Sequence, residues 1–291
     1  MSILVTGGTG TVGAHVVRRL VELGQPPSVL LRAAKKAKFL PVGVQGVVGD
    51  LDNPGSLAKA MQGFERVFLL TPLHPKEAEM GITAVKAAMA AGVSHLVYLS
   101  VHKVDAIPQI PHFQSKIEIE KAMKDVGLAY TLIMPNNFYQ NDEWFKQAIL
   151  EHGVYPQPIG DIGLNRVDVR DIADAAVNAL TQPGHAGKRY PLIGPDTLTG
   201  RAVADTYSRH LGRTIRYAGN DLAAWEAQAL KTMPEWHVHD VKIMYQRFQR
   251  HGLVASKEDF AEQAKILGRP PRPFDAYVLE VTTDWKHDTQ N

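Results

Sequence analysis

Three glycines, Gly7, Gly10 and Gly13, stand at three-residue spacing between an apolar run, Ile3-Leu4-Val5, and a stretch in which Val12, Val16, Val17, Leu20 and Leu23 recur at helical spacing. The pattern is a short buried strand, a turn and an amphipathic helix, with the glycines at the turn. Missing side chains let backbone approach a phosphate, and the free N–H groups and dipole of the helix favour an anion at that point. The segment therefore reads as a dinucleotide-binding turn, with Thr6, Gly7, Gly10, Thr11, Val12 and Gly13 as cofactor-binding residues. A glycine turn without a ligand is the competing reading. The place of the triplet at the head of an alternating strand and helix pattern argues against it.

The spacing is GxxGxxG with Thr6 ahead of it, not the GxGxxG of many medium-chain dehydrogenases. It resembles the short-chain dehydrogenase/reductase superfamily, whose extended and atypical branches carry TGGTGxxG.

The cofactor is expected to be chosen at the end of a second strand, Ser28 to Arg32. In NAD enzymes an acid about 20 residues past the glycines accepts from the ribose 2′-hydroxyl, whereas an arginine there accommodates a 2′-phosphate. Arg32 stands at that point, followed by Lys35, Lys36 and Lys38, and no Asp or Glu occurs from Leu23 through Gly49. NADPH/NADP is the expected cofactor. The other meaning of such a run is a solvated basic loop.

A length of 291 residues corresponds to about two domains and buries roughly three-quarters of the unfolded surface. The net charge is +2 and the signs intermix beyond residue 50, which gives no basis for a nucleic-acid partner. The chain has no cysteine, so disulfides, thiolate metal sites and a cysteine nucleophile are excluded. No apolar run reaches the roughly 18 residues of a membrane helix, and no leader pattern precedes the first strand, so no membrane partner and a cytoplasmic location are expected.

Further strands are expected at 44–49, 67–70, 95–101 and 130–134. Helices are expected at 56–61, opened by Ser56 as N-cap, and at 77–91 and 115–126. Apolar strands interleaved with helices make an α/β fold, a doubly wound parallel sheet covered on both faces. From about Asn136 the composition shifts to Gly, Pro and aromatic residues, with short strands expected at 159–163, 189–193 and 214–217. The expected division is a cofactor domain over 1–150, to which 166–195 returns, and a smaller, mainly helical substrate-side domain over 151–291.

Ligands of such sheets bind at the carboxyl ends of the strands. The residues there are Asp50 and Leu51, Thr71 and Pro72, Ser100 and Val101, and Pro135, Asn136 and Phe138, all expected to contact the cofactor. Asp50 reads equally well as a turn residue leading into a helix. Phe138, Tyr139 and Tyr155 are expected to line a flat substrate pocket.

His112-Phe113-Gln114-Ser115-Lys116 carries the catalytic question. Most short-chain dehydrogenases place Tyr and Lys four apart on one helix face, the ammonium lowering the phenol's pKa. Here His replaces Tyr, and no other Tyr-x-x-x-Lys occurs. Lys116 is expected to meet the nicotinamide ribose. Imidazole at His112 either handles a proton near neutral pH or packs at the helix start.

HFQSKIEIEKAMKDVGLAYTLIMPNNFYQN, the tail FAEQAKILGRPPRPF and TGGTGTVG together resemble NmrA-like proteins, an atypical branch of the short-chain dehydrogenases. The resemblance implies a Rossmann domain of strand order 3-2-1-4-5-6 and a small C-terminal domain. It also implies one of two functions: NADPH-dependent reduction of quinones, dyes or aromatic compounds, or sensing of NAD(P) without turnover through a regulatory protein partner. Lys116 resembles by position the helix lysine of the aromatic-ether reductases, although Glu118 and Glu120 match their surrounding pattern only loosely. The expected activity is an NADPH-dependent reductase that passes hydride to a conjugated or aromatic electrophile, a quinone, dye or related carbonyl, with Lys116 and His112 as catalytic candidates. A homodimer is compatible with it. His237 and His239 alternate as metal ligands do only on a strand, whereas their surroundings have helical spacing, so no metal is expected.

Overall fold

The computed structural model of the chain describes residues 1–288. They divide into two compact units.

The first unit comprises Met1–Pro135, Val169–Leu192 and Ala261–Gly268. Its strands are β1 (Ile3–Val5), β2 (Ser28–Leu31), β3 (Gln45–Val48), β4 (Arg66–Leu69), β5 (His95–Leu99), β6 (Tyr130–Pro135) and, numbered in chain order, β8 (Arg189–Leu192). They form one parallel sheet of order β3-β2-β1-β4-β5-β6-β8. The order of the first six strands is the expected one. The segment expected to return adds a seventh, placing Ile133 of β6 against Tyr190 of β8. The interior strands β1 and β5 are buried at every residue, as a sheet covered on both faces requires.

The helices are α1 (Thr11–Glu22), α2 (Pro54–Ala60), α3 (Glu77–Ala90), α4 (Pro111–Asp125) and α6 (Val169–Thr181). α1 packs on α6, and α3 packs on α4. α1 buries Val12, Val16, Val17 and Leu20, the stripe read from the sequence.

Two helix starts differ from expectation. α2 is capped by Asn53, whose side chain accepts from the Ser56 N–H, with Pro54 at the first helical position. Ser56 instead accepts from the Asp50 N–H. α4 begins at Pro111, not at 115, because a proline without an N–H fits the first turn. His112 therefore lies within the helix, one turn before Lys116.

The second unit comprises Asn136–Asp168, Ile193–Phe260 and the chain from Arg269 onward. The chain thus leaves the first unit at Pro135 and not at residue 150. The unit contains α5 (Lys146–His152), α7 (Gly200–Leu211), α8 (Leu222–Ala229), α9 (Glu235–His251) and α11 (Phe274–Asp288), while α10 (Lys257–Leu267) passes from one unit into the other. A two-stranded parallel sheet pairs β7 (Val154–Tyr155) with β9 (Arg216–Tyr217). Residues 159–163 are not a strand. Gly160 and Gly163 have φ of 86° and 101°, which turns the chain out of the extended conformation. His237 and His239 lie in α9, as their surroundings predicted.

The second unit is built around a buried ion pair. Arg166 and Asp142 are both fully buried, with Nη2–Oδ1 at 2.8 Å and Nη1–Oδ2 at 3.1 Å. Arg166 Nε donates to Asn137 Oδ1 at 2.9 Å, and Nη2 also donates to the Phe138 carbonyl at 2.7 Å. The hydroxyls of Tyr155 and Tyr207 donate to the same carboxylate, each at 3.2 Å. A buried pair is tolerable only when its remaining lone pairs and protons are satisfied, and here they are.

Among the described residues, no helix is long and apolar enough to cross a membrane.

His95, at the start of β5, gives a pH prediction. Its Nε2 lies 2.9 Å from Thr131 Oγ1, which itself donates to the His185 carbonyl, so the imidazole is the donor. Burial, and then the Arg66 and His185 charges, lower its pKa from 6.5 to about 4. The unfolded chain takes up this proton below pH 6.5 while the native state refuses it until about pH 4, so stability falls with pH across that window. The shift amounts to about 3 kcal/mol. Urea unfolding at both ends of the window should show His95→Gln losing less stability on acidification than the wild-type protein, and equal losses would remove His95 as the cause.

Candidate cofactor site at the strand tips

At the glycine turn each glycine does something different. Gly7 has φ of 64°, the left-handed region, and its carbonyl accepts from the Gly10 N–H at 2.9 Å. A Cβ on Gly13 would lie 2.2 Å from that carbonyl oxygen, and one on Gly8 would lie 2.7 Å from Val29 Cγ1. Gly13 thus lets α1 rest directly on the turn. Gly8 lets the turn rest on β2, a packing requirement that the GxxGxxG spacing does not contain. Gly10 is different. Its φ is −96°, and the nearest atom to an added Cβ would be the Gly7 oxygen at an ordinary 3.4 Å. Nothing in the fold requires glycine at this position.

Gly10 is the N-cap of α1 and no side chain caps the helix. The first turn also lacks an acid. Thr9, Gly10 and Thr11 are exposed, whereas Val12 is buried in the helix stripe. The helix start therefore presents uncompensated N–H groups to the surface, the requirement for holding an anionic group. Thr6 is fully buried and joins two strand ends, donating to the Leu70 carbonyl at 2.9 Å and accepting from the Leu70 N–H at 2.7 Å.

A cavity of about 450 Å³ opens at the ends of β1 to β4. Its walls include Thr6, Gly7, Arg32, Asp50, Leu51 and Pro72 of the expected residues. Three further residues, Thr9, Lys36 and His74, complete its polar lining alongside Asp52. Lys36 belongs to the basic run noticed in the sequence, and Thr9 lies inside the glycine turn. His74 carried no signal, because it follows β4 in a loop of no regular pattern. Arg32 is exposed, and among the described residues no hydrogen bond or ion pair engages the side chain of either Arg32 or Lys36. Asp50 combines both of its readings, since it lines the cavity and its Oδ1 accepts from the Asp52 N–H at 3.1 Å.

Thr71, Ser100 and Lys116 are not among the cavity walls. Thr71 is buried and donates to Glu77 Oε1 at 2.7 Å. Ser100 is buried and donates to Glu120 Oε1 at 2.5 Å, while Glu120 Oε2 receives Arg189 Nη1 at 3.0 Å. Burial raises the Glu120 pKa against the opposing pull of Ser100 and Arg189. Ser100 is thus held by the protein, and the half-buried Val101 follows it.

Lys116 extends from α4 to the last residue of β5. Its Nζ donates to the Leu99 carbonyl at 3.3 Å and to Glu77 Oε1 at 3.0 Å, and it lies 5.5 Å from the centre of the Tyr98 ring. Burial works against its charge, but the Tyr98 phenol and the Glu77 carboxylate outweigh this and hold its pKa above the usual lysine value. A phenol and an ammonium therefore do meet here, contributed by a strand and a helix. They do not rebuild the missing proton donor. Tyr98 is fully buried, and burial pushes its pKa up to about 12 although the Lys116 charge opposes this. His112 is half-buried in the first turn of α4, its ring meeting that of Phe113 edge-on at 4.8 Å.

The residues after β6 are tied into the protein. Pro135 is buried, and its carbonyl accepts from the His102 N–H. Asn136 is buried and donates to the Leu253 carbonyl at 2.8 Å. Phe138 is half-buried, with its carbonyl on Arg166. Tyr139 and Tyr155, expected against a substrate, are instead fully buried. Tyr155 belongs to the Arg166 and Asp142 network, and Tyr139 packs on Phe274 with ring centres 5.0 Å apart. Their spacing after β6 resembled pocket walls, but the partners that bury them lie far along the chain.

The NmrA-like family model matches residues 1–278. The chain belongs to the NmrA-like family. Among its relatives, the NAD(P)H azoreductase of Xenophilus azovorans is 37% identical over 276 residues, 94% of this chain and 95% of that protein. The (4-alkanoyl-5-oxo-2,5-dihydrofuran-3-yl)methyl phosphate reductase of Streptomyces griseus is 35% identical, covering 96% of this chain and 97% of its own. The crystal structure of the Escherichia coli NADPH-dependent quinone oxidoreductase complexed with NADPH superimposes with a TM-score of 0.87 at 26% identity, covering 96% of this chain and 99% of that one.

The glycine geometry of this NmrA-like chain yields a prediction about stability alone. Gly13→Ala sets a side chain against backbone and should cost about 3 kcal/mol. Gly10→Ala should stay within about 1 kcal/mol of the parent protein, since alanine is only a poorer N-cap. Thermal melts of the two variants test this, and equal losses would mean that the turn relaxes around either residue.

Proposed function

We propose that this protein is an NADPH-dependent reductase that passes hydride to a conjugated or aromatic electrophile of the quinone or dye class. The observation that carries it is the cavity whose wall holds two unengaged cations, Arg32 and Lys36, beside the glycine turn. Such a cleft suits a dinucleotide bearing a third phosphate. The azo dye, furanone and quinone reductases among its relatives support the substrate class.

In this reading the uncapped start of α1, from Thr9 to Thr11, holds the pyrophosphate. Arg32 and Lys36 take the 2′-phosphate, with Arg32 presenting its planar fork. Asp50 and Leu51 border the adenine, Pro72 borders the adjoining ribose, and Lys116 orients the nicotinamide ribose. When bound, the cofactor supplies a hydride to the substrate. The protein has no exposed tyrosine at position 112 to donate a proton. Quinones and dyes require little such help, because their reduced forms delocalise the added charge. His112 remains the group that can give a proton to less delocalised acceptors.

NADPH oxidation should be measured against a panel of quinones, azo dyes, aldehydes and imines, with NADPH affinity in parallel. Turnover with quinones or dyes is expected. Tight binding with no oxidation of any acceptor would replace the reductase by a cofactor-sensing regulator. His112→Phe should lower kcat for aldehydes while sparing quinones.

Arg32→Ala separates the two nicotinamide cofactors. One exposed, charge-assisted contact is worth about 1.5 kcal/mol, so NADPH affinity should fall about tenfold while NADH affinity is unchanged. Equal affinities for NADPH and NADH in the wild-type protein would defeat the assignment. Gly10→Val should lose cofactor binding while losing no more than about 2 kcal/mol of stability as a poorer N-cap, since the fold leaves room for a Cβ there but a bound pyrophosphate would not.

A further inference from the structure

Glu77 is a carboxylate 2% exposed, in the first turn of α3, and nothing in the reaction assigned above uses it. An isolated buried carboxylate is costly, so its partners explain its presence. A helix N-terminus accounts for an acid at that point of the chain but not for the direction of its carboxylate. That group reaches the ammonium of Lys116 on α4 and the hydroxyl of Thr71 just past β4. Docking α3 on α4 does not explain it either. Gly81 of α3 already fits against Ile119 of α4 so closely that an added Cβ would lie 2.2 Å from Ile119 Cδ1.

We propose that Glu77 is the positioning residue for Lys116, fixing its ammonium at the carboxyl ends of β4 and β5, with Thr71 orienting the carboxylate. The proposal rests on the reading of Lys116 as a contact of the cofactor ribose. A lysine has three donors, and Glu77 and the Leu99 carbonyl take two of them. The side chain keeps 14% of its surface exposed, which leaves the third donor for a ligand. The ionisable groups around the ammonium are Glu77 from α3 and Tyr98 from β5, with Glu120 of its own helix acting on Tyr98. Glu77 is the carboxylate in direct contact. Without it, burial would be opposed by Tyr98 alone, and the amine would lose its proton at a lower pH.

The test compares wild type, Glu77→Gln, Glu77→Asp and Lys116→Met. NMR of 15N-labelled lysine side chains follows the Lys116 titration without cofactor, and NADPH dissociation constants are measured at about pH 7 and 9.5. In Glu77→Gln, Lys116 should titrate at about pH 8.5, roughly two units below an ordinary lysine, whereas wild type stays protonated through the range, so NADPH binding should weaken about tenfold more than in wild type between the two pH values. Glu77→Asp should restore part of both effects. Lys116→Met should bind weakly at both pH values without the added slope. An unchanged Lys116 titration in Glu77→Gln overturns the proposal. So does a shifted titration with NADPH affinity as flat as in wild type, and NADPH turnover by the wild-type protein then decides separately whether the reductase reading stands. Should Glu77→Gln not fold, Thr71→Val removes one hydrogen bond from the carboxylate and must give the same shifts at smaller size. No shift with that variant overturns the proposal equally.

Discussion

The approach of α1 to its own turn governs the cofactor end of the molecule. Gly13 lies over the Gly7 carbonyl at a distance no side chain could share, and Gly8 does the same against Val29. These contacts fix the start of α1 relative to β1 and β2, so the bare N–H groups of the helix sit at the strand tips. Thr6 stiffens the same point by bonding both backbone groups of Leu70 across to β4. Three of the four glycines in the turn are therefore engaged by the fold through packing or backbone conformation, which leaves Gly10 as the one a ligand would explain.

Charge at the strand tips is arranged in two ways. At β2, Arg32 and Lys36 stand in the cavity wall without partners, as cations that are to meet a mobile anion must. At β4 and β5 the buried charges of Lys116 and Glu120 are matched, Lys116 with Glu77, and Glu120 with Arg189 and the Ser100 hydroxyl. The first arrangement suits affinity and choice between cofactors, since an exposed cation loses little on binding. The second suits geometry, because groups held by two or three hydrogen bonds cannot drift. A hydride donor and acceptor have to be brought to fixed places, and the matched groups lie where that demand would fall.

Most of the sheet was legible because its interior strands are short and apolar, and α1 after β1 carries its own stripe. The cavity residues at the ends of the first four strands followed from the same logic, as position past a strand fixes which way a residue faces. What could not be read depended on distant partners. Ser100 and Thr71 look like ligand-binding hydroxyls until Glu120 and Glu77 are brought to them from other elements. Tyr139 and Tyr155 look like pocket walls until Arg166, Asp142 and Phe274 enclose them. Two helix starts were misplaced by a few residues, α2 because Asn53 and not Ser56 caps it, and α4 because Pro111 takes its first position.

The absence of a helix tyrosine takes on a definite meaning when Lys116 is considered with its surroundings. In a Tyr-x-x-x-Lys site the ammonium serves the phenol, lowering its pKa for proton transfer. Here the phenol beside the ammonium, Tyr98, is sealed inside β5 with its pKa raised to about 12, and it has no route to a substrate. The lysine is present without a helix tyrosine for it to activate, and a buried carboxylate holds it. On the reading proposed above, such a site keeps an ammonium to orient the cofactor and leaves any protonation of a carbonyl oxygen to His112 alone. Acceptors whose reduced forms carry their own charge are the ones for which the absent tyrosine costs least, and this is the class that azo dyes and quinones represent.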